Sequence, residues 1–157
     1  MRYIKSFAVL LVLMAVSGCG KFDVVNRPIP DLLQAEKVCI VNHPETREGF
    51  ESALKQWLTK ENINYQVIPA SSRSDACDWV LRYYGYWSWD MALFLSDAEI
   101  RAYHDGNETG EVKLRVGQWD SHKFESGEKR IGKMMDMLSG KADHYVIAKP
   151  KNRVEAK

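Results

Sequence analysis

Cysteine and proline are scarce in this chain of 157 residues, with 3 and 5 copies, and glycine, at 10, is no commoner than in ordinary globular proteins. Those counts exclude a collagen-like or low-complexity chain and a small scaffold stapled by many disulfides. A surplus of one charge is missing too. The 22 Lys and Arg face 21 Asp and Glu, so composition offers no electrostatic case for a nucleic-acid partner. Neither a G-x-S-x-G elbow nor a G-x-x-x-x-G-K-[ST] loop occurs, and no G-x-G-x-x-G follows a strand. Hydrolase-elbow and nucleotide chemistry therefore have no signature. His43, His104, His122 and His144 are scattered, with no H-x-x-x-H spacing and no cysteine pair placed for zinc, so neither a metal nor a cofactor is expected. What is present, 45% hydrophobic and 27% charged residues, suits one domain with one core.

The chain opens with the cations Arg2 and Lys5, an apolar run from Phe7 to Val16, and the small residues Ser17 and Gly18. This is the pattern of a secretory leader. Ten residues rise about 15 Å as a helix against a hydrocarbon core of roughly 30 Å, which is too short for a permanent span. Val16-Ser17-Gly18-Cys19 resembles the lipobox of bacterial lipoproteins. The resemblance implies cleavage after Gly18, a thioether-linked diacylglycerol on Cys19, and an amide-linked third acyl chain. Two or more such chains anchor stably, each buried methylene contributing roughly 0.8 kcal/mol. In such lipoproteins an Asp after the cysteine resembles an inner-membrane retention signal; Gly20 stands here, which favours the outer membrane. Cleavage removes Arg2 and Lys5 and no acid, so attachment must come from lipid rather than charge. Residues 19–36, with Pro28 and Pro30 and no sustained periodicity, are expected to be a tether able to reach on the order of 50 Å when extended. The alternative is a short helical turn over Asp31–Glu36.

Three cysteines are an odd count for an exported protein, and lipidation of Cys19 resolves it. Cys39 and Cys77 remain, and in an oxidising compartment they are expected to pair. The bridge would close a stretch of 38 residues and contribute roughly 4 kcal/mol on the chain-entropy model. Two buried free thiols are the alternative.

The expected globular domain covers 37–140. Val38-Cys39-Ile40-Val41 reads as a strand buried on both faces. Phe50, Ala53, Leu54, Trp57 and Leu58 form the stripe of an amphipathic helix, opened by Pro44 or Thr46 and closed by Asn62. Tyr65–Ile68 then supplies a second strand, and the three elements predict a right-handed parallel crossover. Trp79 to Asp90 is a long half-buried strand; Met91–Leu95 is apolar without alternation. Ala98, Ile100 and Ala102, against Val112, Leu114 and Val116, predict a hairpin in which Arg101 faces Glu111 and Glu99 faces Lys113. Since both apolar sets are even-numbered, an odd loop, Asp105-Gly106-Asn107, is expected and a two-residue turn excluded. Phe124, Gly127, Ile131, Met134, Met135 and Leu138 stripe a second helix, opened by Asp120 or Ser121 and closed by Gly140. Its methionines read as packing residues. A basic tail, 141–157, follows and is expected to be loose, with Tyr145-Val146-Ile147 as a candidate edge strand. The order β-α-β-β-β-β-α implies an α/β fold on the α+β border: a mixed sheet with helices packed on it, both on one face.

Catalytic candidates are weak. Glu99 and Glu111 form a pair of carboxylates, but alternation aims both at solvent beside Arg101 and Lys113. The unusual feature is Tyr83-Tyr84-Gly85-Tyr86-Trp87-Ser88-Trp89-Asp90. One parity is expected in the core, and Tyr84, Tyr86, Trp87 and Trp89 make up a possible binding surface, since rigid rings with polar tips suit sugar or protein recognition. The alternative is that a helix or the tail covers the outer rings.

The Cys39-Ile40-Val41 start, Arg47-Glu48-Gly49-Phe50, Trp87-Ser88-Trp89-Asp90 and Ala98-Glu99-Ile100-Arg101-Ala102-Tyr103 resemble a family of small, functionally uncharacterised Gram-negative lipoproteins sharing Y-x-x-x-x-S-W-D and A-E-I-R-x-Y segments. The resemblance spans Val38 to about Leu138 and implies location and fold, not an activity. At fold level the start is also similar to periplasmic domains of lipoproteins that serve curli secretion or activate peptidoglycan synthases. The expectation is a non-catalytic outer-membrane lipoprotein, joined to the membrane through Cys19, whose periplasmic domain binds an envelope protein or glycan. The alternatives are a periplasmic hydrolase working near Asp90, Glu99 and His104, and a structural subunit of a secretion ring.

Overall fold

The computed structural model describes residues 22–120 and 122–145. Its elements are β1 (Asp23–Arg27), β2 (Lys37–Val41), α1 (Glu48–Lys60), β3 (Asn64–Ile68), β4 (Trp79–Asp90), β5 (Ala92–His104), β6 (Asn107–Arg115) and α2 (Gly127–Leu138). The strands make one sheet in the order β1-β6-β5-β4-β2-β3, with β2 parallel to both β3 and β4 and every other pair antiparallel. This is the expected mixed α+β arrangement with β1 added in front.

The unbroken apolar run of β2 has its cause in burial on both sides. Val38 and Ile40 join the main core with both helices, while Cys39 and Val41 join a smaller cluster with Ile68 and Val80 on the opposite face. Phe50, Ala53, Leu54, Trp57 and Leu58 of α1 and Ile131, Met134, Met135, Met137 and Leu138 of α2 all pack in the main core. The helices therefore share one face, and the indole N–H of Trp57 donates to Asp136 at 2.8 Å between them. The opposite face carries the Cys39–Cys77 disulfide, with Cα atoms 6.2 Å apart, which pins the β3–β4 connection onto β2.

The helix ends differ from expectation for local reasons. Arg47, not Pro44 or Thr46, precedes α1. The Thr46 hydroxyl is occupied by His43 Nδ1 at 3.2 Å and accepts the Gly85 N–H at 3.4 Å. Asn62 does close α1, at φ 60°. Ser126 caps α2, its hydroxyl accepting the Lys129 N–H, whereas Asp120 accepts the His122 N–H in a preceding turn. Phe124 consequently lies outside the helix and is exposed. Gly140, at φ 73°, ends α2 as expected.

The expected tether is corrected as well. Residues 23–27 form β1, with Asp23 opposite Arg115, and Pro30–Gln34 form a 3-10 turn that buries Leu32. An edge strand held by backbone bonds to β6 needs no hydrophobic alternation, so Asp-Val-Val-Asn-Arg carries no strand signal. Gly110 is required beneath it, because a Cβ there would overlap the Ile29 side chain.

The β5–β6 body has the expected register, Glu99 opposite Lys113 and Arg101 opposite Glu111. Its turn does not. Asp105 (φ 49°) and Gly106 (φ 79°) make a two-residue turn, and a register shift beyond Ala102–Gly110 leaves Thr109 as the extra residue. The bulge absorbs the odd residue, so parity did not exclude the short turn. The apolar run Met91–Leu95 belongs to β5, which starts at Ala92. Leader, Cys19 and the tail from 146 lie outside the described residues, and with them most of the candidate edge strand; Tyr145 packs against Phe22, the rings tilted by 53° with centroids 4.8 Å apart.

Candidate functional site

The aromatic segment is the centre of β4, and alternation divides it. Trp79, Leu81 and Tyr83 point into the main core. Gly85 continues that parity because Phe50 lies against it: a Cβ would come within 2.6 Å of the Phe50 ring. Tyr84 and Tyr86 fall on the helix-free face and are exposed, Tyr86 by 55%. Among the described residues no helix covers them.

Trp87 departs from the expected surface. Its ring meets Phe50 edge-on at 6.3 Å and lies under Arg47 at 6.0 Å, so it is a packing residue of the helix side. Of the four expected rings, Tyr84, Tyr86 and Trp89 are exposed, Trp89 by 73%, while half-buried Trp87 borders the same cleft as Tyr86 and Trp89. Between Tyr86 and Trp87 the β4–β5 register shifts, leaving Ser96 unpaired. Its hydroxyl donates to the Tyr86 carbonyl at 3.1 Å and accepts from Ser88 at 2.9 Å, and its carbonyl accepts the Val116 N–H at 2.7 Å. The bulge is thus a fixed device that re-aims the end of the hairpin.

Beside it opens a cleft of about 1030 Å³ lined by Tyr86, Trp89, Asp23, Asp97, Arg115 and Gln118, among others. Arg115 and Asp97 pair at 3.0 Å. Rings beside carboxylate, amide and guanidinium groups can bind by stacking and hydrogen bonding. Asp23, Asp97, Arg115 and Gln118 escaped the sequence reading because four strands or loops bring them together.

Farther along the same face lies a charge ladder. Glu111 accepts from Lys113 at 2.8 Å and forms an ion pair with Arg101 at 3.2 Å, and Lys113 reaches Glu99 at 3.7 Å. The Lys113 hydrogen bond holds the Glu111 carboxyl below the usual carboxylate range. The paired carboxylates are therefore neutralised surface groups.

The hydrolase candidates do not meet. Asp90 pairs with Lys123 at one end of β5, while the His104 ring stacks on Trp79 at 4.3 Å at the other. Twelve extended residues, about 40 Å, separate those ends. A histidine does adjoin a phenol and a carboxylate elsewhere: Tyr83 receives the His43 backbone N–H and donates to Glu51, each at 3.3 Å. Burial first, then Glu51, raises the Tyr83 phenol to about 12, which keeps it a neutral donor clamping β4 to α1. Next to it is a recess of about 350 Å³ lined by His43, Pro44, Ala70 and Arg82. Among the described residues no three His, Cys, Asp or Glu side chains gather as a metal cage. Near α2, burial pushes the Glu125 carboxyl up, but hydrogen bonds from Lys133 and Tyr145 outweigh it and hold it low, with buried Arg130 adding to the effect.

No family model and no curated sequence matches this chain. Among solved structures it is similar to the dodecamer of a single-substitution variant of PelC from Paraburkholderia phytofirmans, at 15% identity and TM-score 0.52 over 76% of this chain and 95% of that one. It is similar, more loosely, to another crystal form of the PelC dodecamer from the same organism (13%, TM-score 0.46, 77% and 95%). A minor lipoprotein from Acinetobacter baumannii follows at 16%, TM-score 0.30, with 68% and 83% covered. The first of these shares the fold; the other two are too distant in shape to add to it.

Proposed function

We propose that this protein is a non-catalytic lipoprotein of the outer membrane, held by acyl chains on Cys19, whose periplasmic domain binds or assembles an envelope component, protein or glycan. The observation that carries the reading is the exposure of Tyr84 and Tyr86 on the helix-free face beside a polar cleft, while the acid–base candidates lie apart. The Val16–Cys19 lipobox, Gly20 and the resemblance to small Gram-negative lipoproteins support the address. Rings presented by a sheet lose little conformational freedom on binding, which is why such positions dominate recognition surfaces. A photo-crosslinking residue in place of Tyr84 or Tyr86, activated in intact cells, should give a discrete adduct with an envelope protein or the sacculus that the same label at Lys60, on α1, does not give. No adduct from either tyrosine position would overturn the reading, and mass spectrometry of the mature N-terminus should find an acylated Cys19.

A second reading, a structural subunit of a secretion ring, is favoured by the fold shared with the variant PelC dodecamer. Both outer strands, β1 and β3, are open sheet edges that head-to-tail association can use. Sizing after mild detergent extraction should then show a closed oligomer; a monomer rejects this version.

A further inference from the structure

The end of the sheet where β4 turns into β5 concentrates apolar side chains in water. Trp89, Met91 and Leu93 line the turn, and the β6–α2 connection places Trp119 and Phe124 at the same end, with Met91 exposed by 88% and Trp119 by 81%. The connection is fastened there by Lys123, which pairs with Asp90 and lies 5.2 Å from the Phe124 ring, and by the Phe124–Phe94 edge contact at 6.4 Å. At the opposite end, the β5–β6 turn is Asp105-Gly106-Asn107-Glu108. The asymmetry is sharp: one end is ringed by indoles, a thioether and a phenyl, the other by turn residues that water solvates well.

Met91 adds a second oddity. It alone links Asp90 to Ala92, at φ 59°, a backbone region that suits Gly or Asn. A long apolar side chain there is held outward where neither the turn nor the core needs it.

The chain itself enters at this end. Asp23, Arg115, Asp97 and Tyr86 stand side by side across the sheet, and β1 runs away from the turn, so Asp23 is the residue of β1 nearest to it. Phe22 is fixed against Tyr145. From Phe22 to Cys19 the chain spans at most about 11 Å, and Trp89 stands three extended residues, roughly 10 Å, beyond the Tyr86 row. The apolar end therefore lies within the reach of the chain that carries Cys19.

The geometry points to a membrane-docking surface: the end formed by Trp89, Met91, Leu93, Trp119 and Phe124 rests in the headgroup region of the bilayer to which Cys19 is attached. Indole rings favour that depth, where the apolar body meets acyl chains and the N–H stays hydrated. The domain then stands upright on the membrane, leaving Tyr84 and the helices in water. This rests on the proposed acylation of Cys19, and the test separates the two.

The mature acylated protein is reconstituted in vesicles of phosphatidylethanolamine and phosphatidylglycerol, with or without brominated acyl chains, and tryptophan emission is read. Brominated lipid should quench a substantial part of the emission, and the quenchable part should shrink in Trp89→Phe and again in Trp89→Phe/Trp119→Phe. Full-length Cys19→Ser, which cannot be acylated, should still partition onto the vesicles, at least tenfold more than the same chain carrying Trp89→Ser, Met91→Ser and Trp119→Ser. Acylated protein whose emission ignores brominated lipid and is quenched by aqueous iodide overturns the docking surface while leaving the anchor standing. An unmodified Cys19 together with vesicle-bound indoles overturns the anchor and leaves the docking surface standing. Quenching of Trp89 by soluble envelope oligosaccharide instead of lipid also rejects the membrane as the occupant.

Discussion

On one face of the sheet Leu81, Ile100 and Val112 meet two helices; on the other, Arg101, Glu111 and Lys113 meet water. The covered face is held by area, with Phe50 stacked on Tyr83 at 4.9 Å. Among the described residues the open face has only the small cluster around Cys39, Val41, Ile68 and Val80, and there a covalent bond does what a third helix would otherwise do. The contrast shows why one face tolerates no change of volume while the other is free to display rings and charges: the second face is not asked to bury much.

That division can be broken from either side. Phe50→Ala should cost about 3–5 kcal/mol of stability by urea unfolding, since it empties a fully enclosed site between Tyr83 and Trp87. Cys39→Ala/Cys77→Ala should lose up to roughly 4 kcal/mol; a loss near zero would show that the open face needs no clamp. Tyr83→Phe should cost about 1 kcal/mol through the lost bond to Glu51. Because the native state keeps the Tyr83 proton up to about 12, that contribution is whole below the ordinary phenol value of 10.0 and disappears as pH rises towards 12. Chemical denaturation across that window should show the decline in the wild type and not in the variant.

Smaller effects belong to the open face. Glu111→Gln should cost less than about 1 kcal/mol and less still in added salt. The Glu111 carboxyl is held low, so its contribution is present above its ordinary value of 4.5 and fades as pH falls through the lower native one. Tyr84→Ser should change stability by no more than about 0.5 kcal/mol. A larger loss would mean that this ring is structural, and the sharp difference between the two faces would be wrong.

Much of the fold was legible where burial writes a period into the chain. α1 has one, β2 carries instead the unbroken apolar run of a strand buried on both faces, and the opposite charges at 99, 101, 111 and 113 fixed the β5–β6 register. Where backbone bonds or single residues decide, the signal vanished. β1 has no hydrophobic pattern because an edge strand buries little. The Asp105-Gly106 turn depends on a bulge at Thr109 that parity cannot anticipate. The candidate surface was half visible: aromatic composition marked the segment, but only packing shows that Trp87 turns inward and that Trp119, thirty residues away in sequence, stands at the same end as Trp89.

Sequence by itself determined the parallel strand pair, the stripe of α1 and the cysteines that could pair, because spacing along one element needs no knowledge of its neighbours. Tertiary structure alone decided which rings meet water, which charged groups share the cleft, and which apolar side chains gather at one end of the sheet. Those are relations between distant segments, and a linear pattern carries no distance between them.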